Sequence, residues 1–224
     1  MTDDSGWLER ELGYRFSDDV LLTRALTHRS ASGPHNERLE FLGDAALSLV
    51  VAEALYERLP HAPEGHLSRL RASLVRRSSL AGTARELGFP TRLSLGPGEL
   101  KSGGFRRESI LADALEAVLG AIYLDGGLEA LRPVVLRLYG ARLESLPDHE
   151  SLKDPKTLLQ ERLQARGLPV PSYRVAAVEG EDHRQQFKVA CLVEGIAAEA
   201  TGSGGSRRAA EQAAAAQMLS RLDV

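Results

Sequence analysis

The chain has 224 residues, 43% hydrophobic and 26% charged, with a formal net charge of −3. That length suits two modest domains, each with its own core, and the composition excludes wholesale disorder and a fibre. No stretch approaches the roughly 18 consecutive apolar residues of a membrane span, the acidic start Met1–Ser5 lacks the basic and apolar regions of a secretory signal, and the lone Cys191 excludes an internal disulfide or thiolate cluster. A soluble cytoplasmic protein without membrane attachment is expected. The negative charge does not exclude a nucleic-acid partner. From Ser151 onward ten Lys/Arg face nine Asp/Glu, so the acid excess lies in the first part, where bound cations would offset it.

In chain order, Trp7, Leu8 and Leu12 predict a short first helix. Ser17, followed by Asp18 and Asp19, reads as the N-cap and first turn of a second helix, with Leu21, Leu22, Ala25 and Leu26 as its buried stripe. His28 sits where that helix ends, a position that favours a cation for structural reasons. Gly33-Pro34 breaks the chain before a long helix over residues 37–59. Leu39, Leu42, Ala45, Ala46 and Leu49 predict its core stripe. Glu37, Glu40 and Asp44 fall at i, i+3 and i+7, stacking three acids within two turns. Either this is a solvated acidic face, or a hard divalent cation sits among the acids. No interleaved Cys or His suggests zinc.

Pro63-Glu64 opens a further helix whose Leu67, Leu70, Leu74 and Val75 are buried and whose Arg69, Arg71, Arg76 and Arg77 make a basic surface. Residues 80–87 form another helix, closed by Gly88 and Pro90. Residues 95–107, with four glycines, read as a loop. It lacks the Gly-Lys-Ser/Thr ending of a phosphate-binding loop, so no nucleotide cofactor is expected. An apolar helix over 110–124 follows, then Gly126-Gly127 and a last helix through Leu143. Asp113 and Glu116 interrupt the first of these at i and i+3, and a buried unpaired carboxylate is costly. An ordinary salt-bridged pair and a metal site shared with Glu40 and Asp44 both fit.

Residues 146–151 break the helical pattern and place a domain boundary. Beyond it the periodicity changes. Asp154-Pro155 caps a helix to about Arg166, alternation at 173–175, 186–193 and 196–201 predicts three strands, Gly202–Gly205 reads as a turn, and Ser206 caps an alanine-rich helix over 207–222.

The nonapeptide Asn36-Glu37-Arg38-Leu39-Glu40-Phe41-Leu42-Gly43-Asp44 resembles the signature of the ribonuclease III family. Further landmarks follow in order: Pro63-Glu64-Gly65, the run Gly96–Asp113, and Lys153-Asp154-Pro155-Lys156-Thr157. The resemblance covers nearly the whole chain. It implies a multidomain protein: an all-α ribonuclease III nuclease domain at 1–146, a linker at 147–152, and a small α+β (α-β-β-β-α) double-stranded-RNA-binding domain at 153–224. It implies an endoribonuclease that cuts double-stranded RNA with two Mg2+ ions, Mn2+ being a possible substitute, to 5′-phosphate and 3′-hydroxyl ends with a stagger. Processing of ribosomal RNA precursors and some mRNAs is the implied work. Glu40, Asp44, Asp113 and Glu116 would hold metal, with Asp44 and Glu116 most tied to catalysis, and Glu37, Glu64 and Glu99 subsidiary acids of the cleft. Gln160, Glu161, His183, Ser206, Arg207 and Arg208 would bind RNA, across two minor grooves and the phosphates between them. Many such domains carry a third base where this chain has Glu211, a departure expected to weaken phosphate binding. Phe41 would plug a socket on the partner of a homodimer. Two rivals stand beside this reading. A di-iron carboxylate protein needs two Glu-x-x-His pairs, and neither Glu40 nor Glu116 has His three residues on. A binding protein with an inactive nuclease domain is disfavoured by the presence of all four acids.

Overall fold

A computed structural model describes residues 4–146, 154–180, 185–196 and 199–222. The chain divides into two compact units, Met1–Pro147 and Asp148–Val224. The segment expected as linker, 147–152, lies outside the described residues.

The first unit is helical: α1 (Asp4–Leu12), α2 (Asp19–Ala25), α3 (Glu37–Arg58), α4 (Glu64–Leu74), α5 (Arg77–Glu86), the short α6 (Pro97–Lys101) and α7 (Glu108–Glu144). The α7 run breaks at Gly127, whose φ of 73° lies in the left-handed region that glycine tolerates. Its first half is apolar on nearly every side: Ile110, Leu111, Ala114, Leu115, Val118, Leu119 and Ile122 are all buried. A helix buried all round belongs at the centre of its unit. Asp113 and Glu116 are half-buried exceptions.

Glycine decides how α3 meets α7. A Cβ on Gly43 would overlap the carbonyl of Glu116, and one on Gly120 would overlap that of Leu39 and lie 2.9 Å from the Gly43 nitrogen. The two backbones therefore touch directly, and any side chain at either position would wedge them apart. This contact explains a departure from the predicted stripe of α3. The buried residues are Leu39, Gly43, Ala46, Leu47, Val50, Val51, Ala54 and Leu55, whereas Ala45 is exposed and Leu49 is 55% exposed. Gly43 lies on the buried face yet has no apolar side chain to mark it, so the face is rotated away from the one that the leucines and alanines suggest.

Two local departures have simple causes. The N-cap of α2 is Asp18 rather than Ser17: the Asp18 carboxylate accepts the Val20 N–H at 2.9 Å. Both backbone N–H groups of Ser17 and Asp18 are taken instead by Asp125, at 2.8 and 3.0 Å. The glycine-rich loop contains α6 and a 3-10 turn, Gly104–Arg106, because Pro97 stands at a first helical turn where its missing N–H costs nothing.

The second unit packs α8 (Pro155–Ala165) and α9 (Arg207–Leu222) on a three-stranded antiparallel sheet in the order β1 (Ser172–Glu179), β2 (Gln186–Leu192), β3 (Ala200–Gly204). Tyr173 pairs with Cys191 and Phe187 with Gly204. Leu159, Leu163, Cys191, Val193, Ala200, Ala214 and Met218 form its core. Residues 202–204, expected in a turn, belong to β3. Glycine there serves close approach to α9: a Cβ on Gly202 would lie 2.6 Å from the Ala213 carbonyl carbon, and one on Gly204 2.8 Å from the Ala209 Cβ.

Replacing Gly120 with Ala should destabilise the helical unit by about 1–3 kcal/mol through overpacking. Chemical denaturation should show an earlier transition for this unit while that of the second unit stays in place.

Candidate functional site

The α3–α7 contact sets acids from both helices against each other. The Asn36 carbonyl, accepting the N–H groups of Leu39 and Glu40 at 2.8 and 2.9 Å, starts α3 so that Glu40 falls in its first turn. Asp113 and Glu116 project from the second and third turns of α7. One carboxylate oxygen each from Glu40, Asp113 and Glu116 lies within 4.8 Å of the other two. Asp44, one turn beyond Glu40, is exposed and stands outside this trio, yet it is the strongest of the charges acting on Glu116.

Gathering like charges in a half-buried site has an electrostatic cost. Burial, then Asp44, Asp113 and Glu40, pushes the Glu116 carboxyl up to about 8. Glu40 is raised by burial and by Asp113 and Glu37. Asp113 is raised by burial, against the pull of Arg77, His28 and Arg29. Three oxygen donors within reach of one ion, all reluctant to ionise without a cation, fit a hard divalent metal. A protonated trio would be the alternative state of the same site.

A cleft of about 290 Å3 opens beside the trio, lined by Glu40 and Asp113 together with His28, Arg29, Asn36, Glu37, Glu99 and Arg107. Backbone hydrogen bonds hold its rim, from His28 to Ser94 at 3.0 Å and from Ser94 to Leu26 at 2.9 Å. Ser30 Oγ accepts the Gly96 N–H at 3.0 Å. Of the subsidiary acids, Glu37 pairs with Arg29 at 3.1 Å and Glu99 with Arg107 at 3.0 Å, both on the cleft. Glu64 is not brought there. It accepts from Ser68 at 2.6 Å and lines a groove between α3 and α4 with Leu49, Tyr56 and Arg71. His28, expected to cap a helix, lies three residues past the end of α2 and bonds Ser30 at 2.8 Å on the cleft wall. Asn36 escaped the sequence reading as a cleft residue. It is 2% exposed, and its amide nitrogen has no hydrogen-bond partner among the described residues. Its place at the head of the signature stretch was the available signal.

On the second unit, Gln160 and Glu161 are exposed on α8, and Arg207 and Arg208 are exposed in the first turn of α9. Ser206 Oγ accepts the Ala209 N–H at 3.2 Å and caps that helix. His183 lies outside the described residues. Phe41 is 80% exposed, which excludes a place in the core of its own chain.

A helical unit with converging acids, followed by a small α+β module with bases at a helix start, defines a nuclease joined to an RNA-binding domain. Residues 18–143 match the family described as Ribonuclease-III-like, and residues 155–222 match the double-stranded RNA binding motif. The chain is 57% identical to ribonuclease 3 of Vibrio vulnificus over 215 residues, covering 96% of each chain. It is 55% identical to ribonuclease 3 of Photobacterium profundum over 223 residues, the full length of both. The crystal structure of the nuclease domain of Campylobacter jejuni ribonuclease III superposes with a TM-score of 0.61 at 42% identity, covering 66% of this chain and all of that one. This chain belongs to the ribonuclease III family. It is an endoribonuclease of a metal-dependent family that acts on double-stranded RNA. Among the described residues, no helix is long and apolar enough to cross a membrane.

The raised acids make stability depend on pH in a defined direction. Between the ordinary value of 4.5 and about 8, folded Glu116 keeps a proton that the unfolded chain has released. Metal-free stability therefore falls as pH rises through that window, with the full loss above it. With a chelator present, the melting temperature of the helical unit should drop from pH 5 toward pH 9, more steeply in the parent than in Glu116→Gln. Adding Mg2+ should raise it most at the alkaline end.

Proposed function

We propose that the protein hydrolyses both strands of duplex RNA with two divalent ions, leaving 5′-phosphate and 3′-hydroxyl ends in a staggered cut. It acts as a cytoplasmic homodimer on ribosomal RNA precursors and some mRNAs. The convergence of Glu40, Asp113 and Glu116 from two touching helices carries this reading. These three and Asp44 would hold the ions, magnesium or manganese in its place, with Asp44 and Glu116 nearest the chemistry. The ions lower the pKa of the attacking water and neutralise charge on the leaving 3′ oxygen. Glu37 and Glu99 act as subsidiary acids by holding Arg29 and Arg107 beside the cleft, where these bases offset repulsion between the acids and the RNA backbone. The two units divide the labour: residues 1–146 cut, and the module at 153–224 binds duplex RNA by shape.

A stripe on the outer face of α3 supports the homodimer. Phe41, Leu49 and Tyr56 are 80%, 55% and 73% exposed and share one side of the helix. Apolar surface of this kind is what a second copy would cover. One C. jejuni nuclease-domain structure, with a TM-score of 0.59 at 46% identity, is described by the flexibility of its region involved in dimer formation. Two centres related by a two-fold axis would cut two strands with a stagger.

The decisive experiment separates binding from cleavage. In Glu116→Gln, gel shifts of perfect duplex RNA should persist while cleavage in saturating magnesium falls by on the order of 100-fold or more. Parental cleavage by this variant would refute the site. For assembly, sedimentation at micromolar concentration should give a dimer for the parent and a weaker one for Phe41→Ala, by about 2 kcal/mol or more if Phe41 anchors the interface. A fully active monomeric parent would refute the dimer.

A further inference from the structure

Position 211 carries an acid where many duplex-RNA-binding modules carry a base. Its surroundings show a specific arrangement. The Glu211 side chain is only 12% exposed, and its two oxygens are divided between two cations. One accepts from Lys156 Nζ at 2.7 Å, across from α8, and the other from Arg207 Nε at 2.9 Å, one turn earlier on α9. Lys156 is fixed from a further side by the Tyr173 ring, 4.4 Å from its ammonium. These two bonds hold the Glu211 carboxyl below its usual range. The group borders a cleft of about 680 Å3 that also takes in Thr157, Gln160 and Arg208.

The donors left over matter most. An ammonium has three N–H donors and a guanidinium five. Among the described residues, Glu211 takes one donor of Lys156 and the Nε–H of Arg207, which leaves the Nη groups of Arg207 facing outward for other partners on a side chain that is 65% exposed. A free Lys or Arg side chain has many rotamers to lose when it is fixed on a ligand. Anchoring both before RNA arrives reduces what binding must freeze out.

We infer that Glu211 is a positioning residue for duplex-RNA binding, fixing Lys156 and Arg207 side by side as a phosphate-binding pair in which Lys156 supplies, from α8, the base that α9 lacks. This rests on the second unit being the module that binds double-stranded RNA. It contradicts simple electrostatics, in which removing an acid from a phosphate-binding surface tightens binding.

The test is a titration of full-length protein onto a perfect RNA duplex, with metal chelated so the strands stay intact, across a series of salt concentrations. The parent is compared with Glu211→Gln, Lys156→Gln and the double variant. Glu211→Gln is expected to bind several-fold more weakly despite its gain in net positive charge. Lys156→Gln is expected to lower the slope of log affinity against log salt by about 0.9, the value of one phosphate contact. The two losses should be less than additive, since one residue acts partly through the other. Equal or tighter binding by Glu211→Gln, an unchanged salt slope in Lys156→Gln, or full additivity would each overturn the inference. So would a lowered melting temperature of Glu211→Gln with its affinity and salt slope intact, the mark of a purely structural role. A parent that does not bind duplex RNA would sink the module's assignment itself, whereas a binding parent with indifferent variants sinks only the positioning role.

Discussion

Direct contact between the backbones of α3 and α7 is the constraint on which the rest of the helical unit depends. Gly43 and Gly120 remove the side chains that normally hold packed helices 8–10 Å apart, and each faces a main-chain group of the other helix. Acid-to-acid separations in the trio are thus set by main-chain contact rather than by flexible side chains. Glu40, Asp113 and Glu116 converge across that contact from the two helices. The loop tie between residues 26–30 and 94–96 then brings the paired ions of the cleft rim to the same place.

That arrangement sets stability against function. The helix most completely surrounded by apolar side chains also carries the half-buried carboxylates Asp113 and Glu116, and the more buried of the two, Glu116, is pushed further from its ordinary ionisation. Apolar neighbours on α7 and the backbone contact hold the acids together against their repulsion. The second unit uses the same device for a different end. Gly202 and Gly204 let β3 lie against α9, which fixes the helix whose first turn carries Arg207 and Arg208.

Much of this was legible in the sequence, and the gaps share a physical origin. Helix positions followed from periodicity and from Gly-Pro breaks, whereas acids recurring at helical spacing left a site shared by Glu40, Asp113 and Glu116 as one of two readings, and the family resemblance pointed to it. What periodicity could not convey was contact through absent side chains. Gly43 offers no apolar side chain to mark the buried face, so the expected stripe took in Leu42, Ala45 and Leu49, and the glycines of 202–204 have the composition of a turn although they lie in β3. Hydrogen bonds between residues distant in sequence were equally hidden. Asp125 decides that Asp18 rather than Ser17 caps α2, from 107 residues away. Glu64 had the right residue type and a landmark motif, but within one chain it faces a different groove. Glu211 looked like a loss of positive charge because its partner Lys156 sits 55 residues earlier.

Within one turn, α3 addresses two surfaces: Glu40 faces the cleft, and Phe41, the next residue, faces outward. Successive residues differ by about 100° around a helix, so a single inserted or deleted residue between Asn36 and Gly43 would swing the acid out of the cleft. The same slip would displace Phe41 from its stripe and break the phase between the acid and the glycine that seats the helix. A substitution here alters one of these surfaces at a time, whereas a change of length alters all of them together. The spacing of this stretch therefore ties the cleft, the outer stripe and the helix contact to one another.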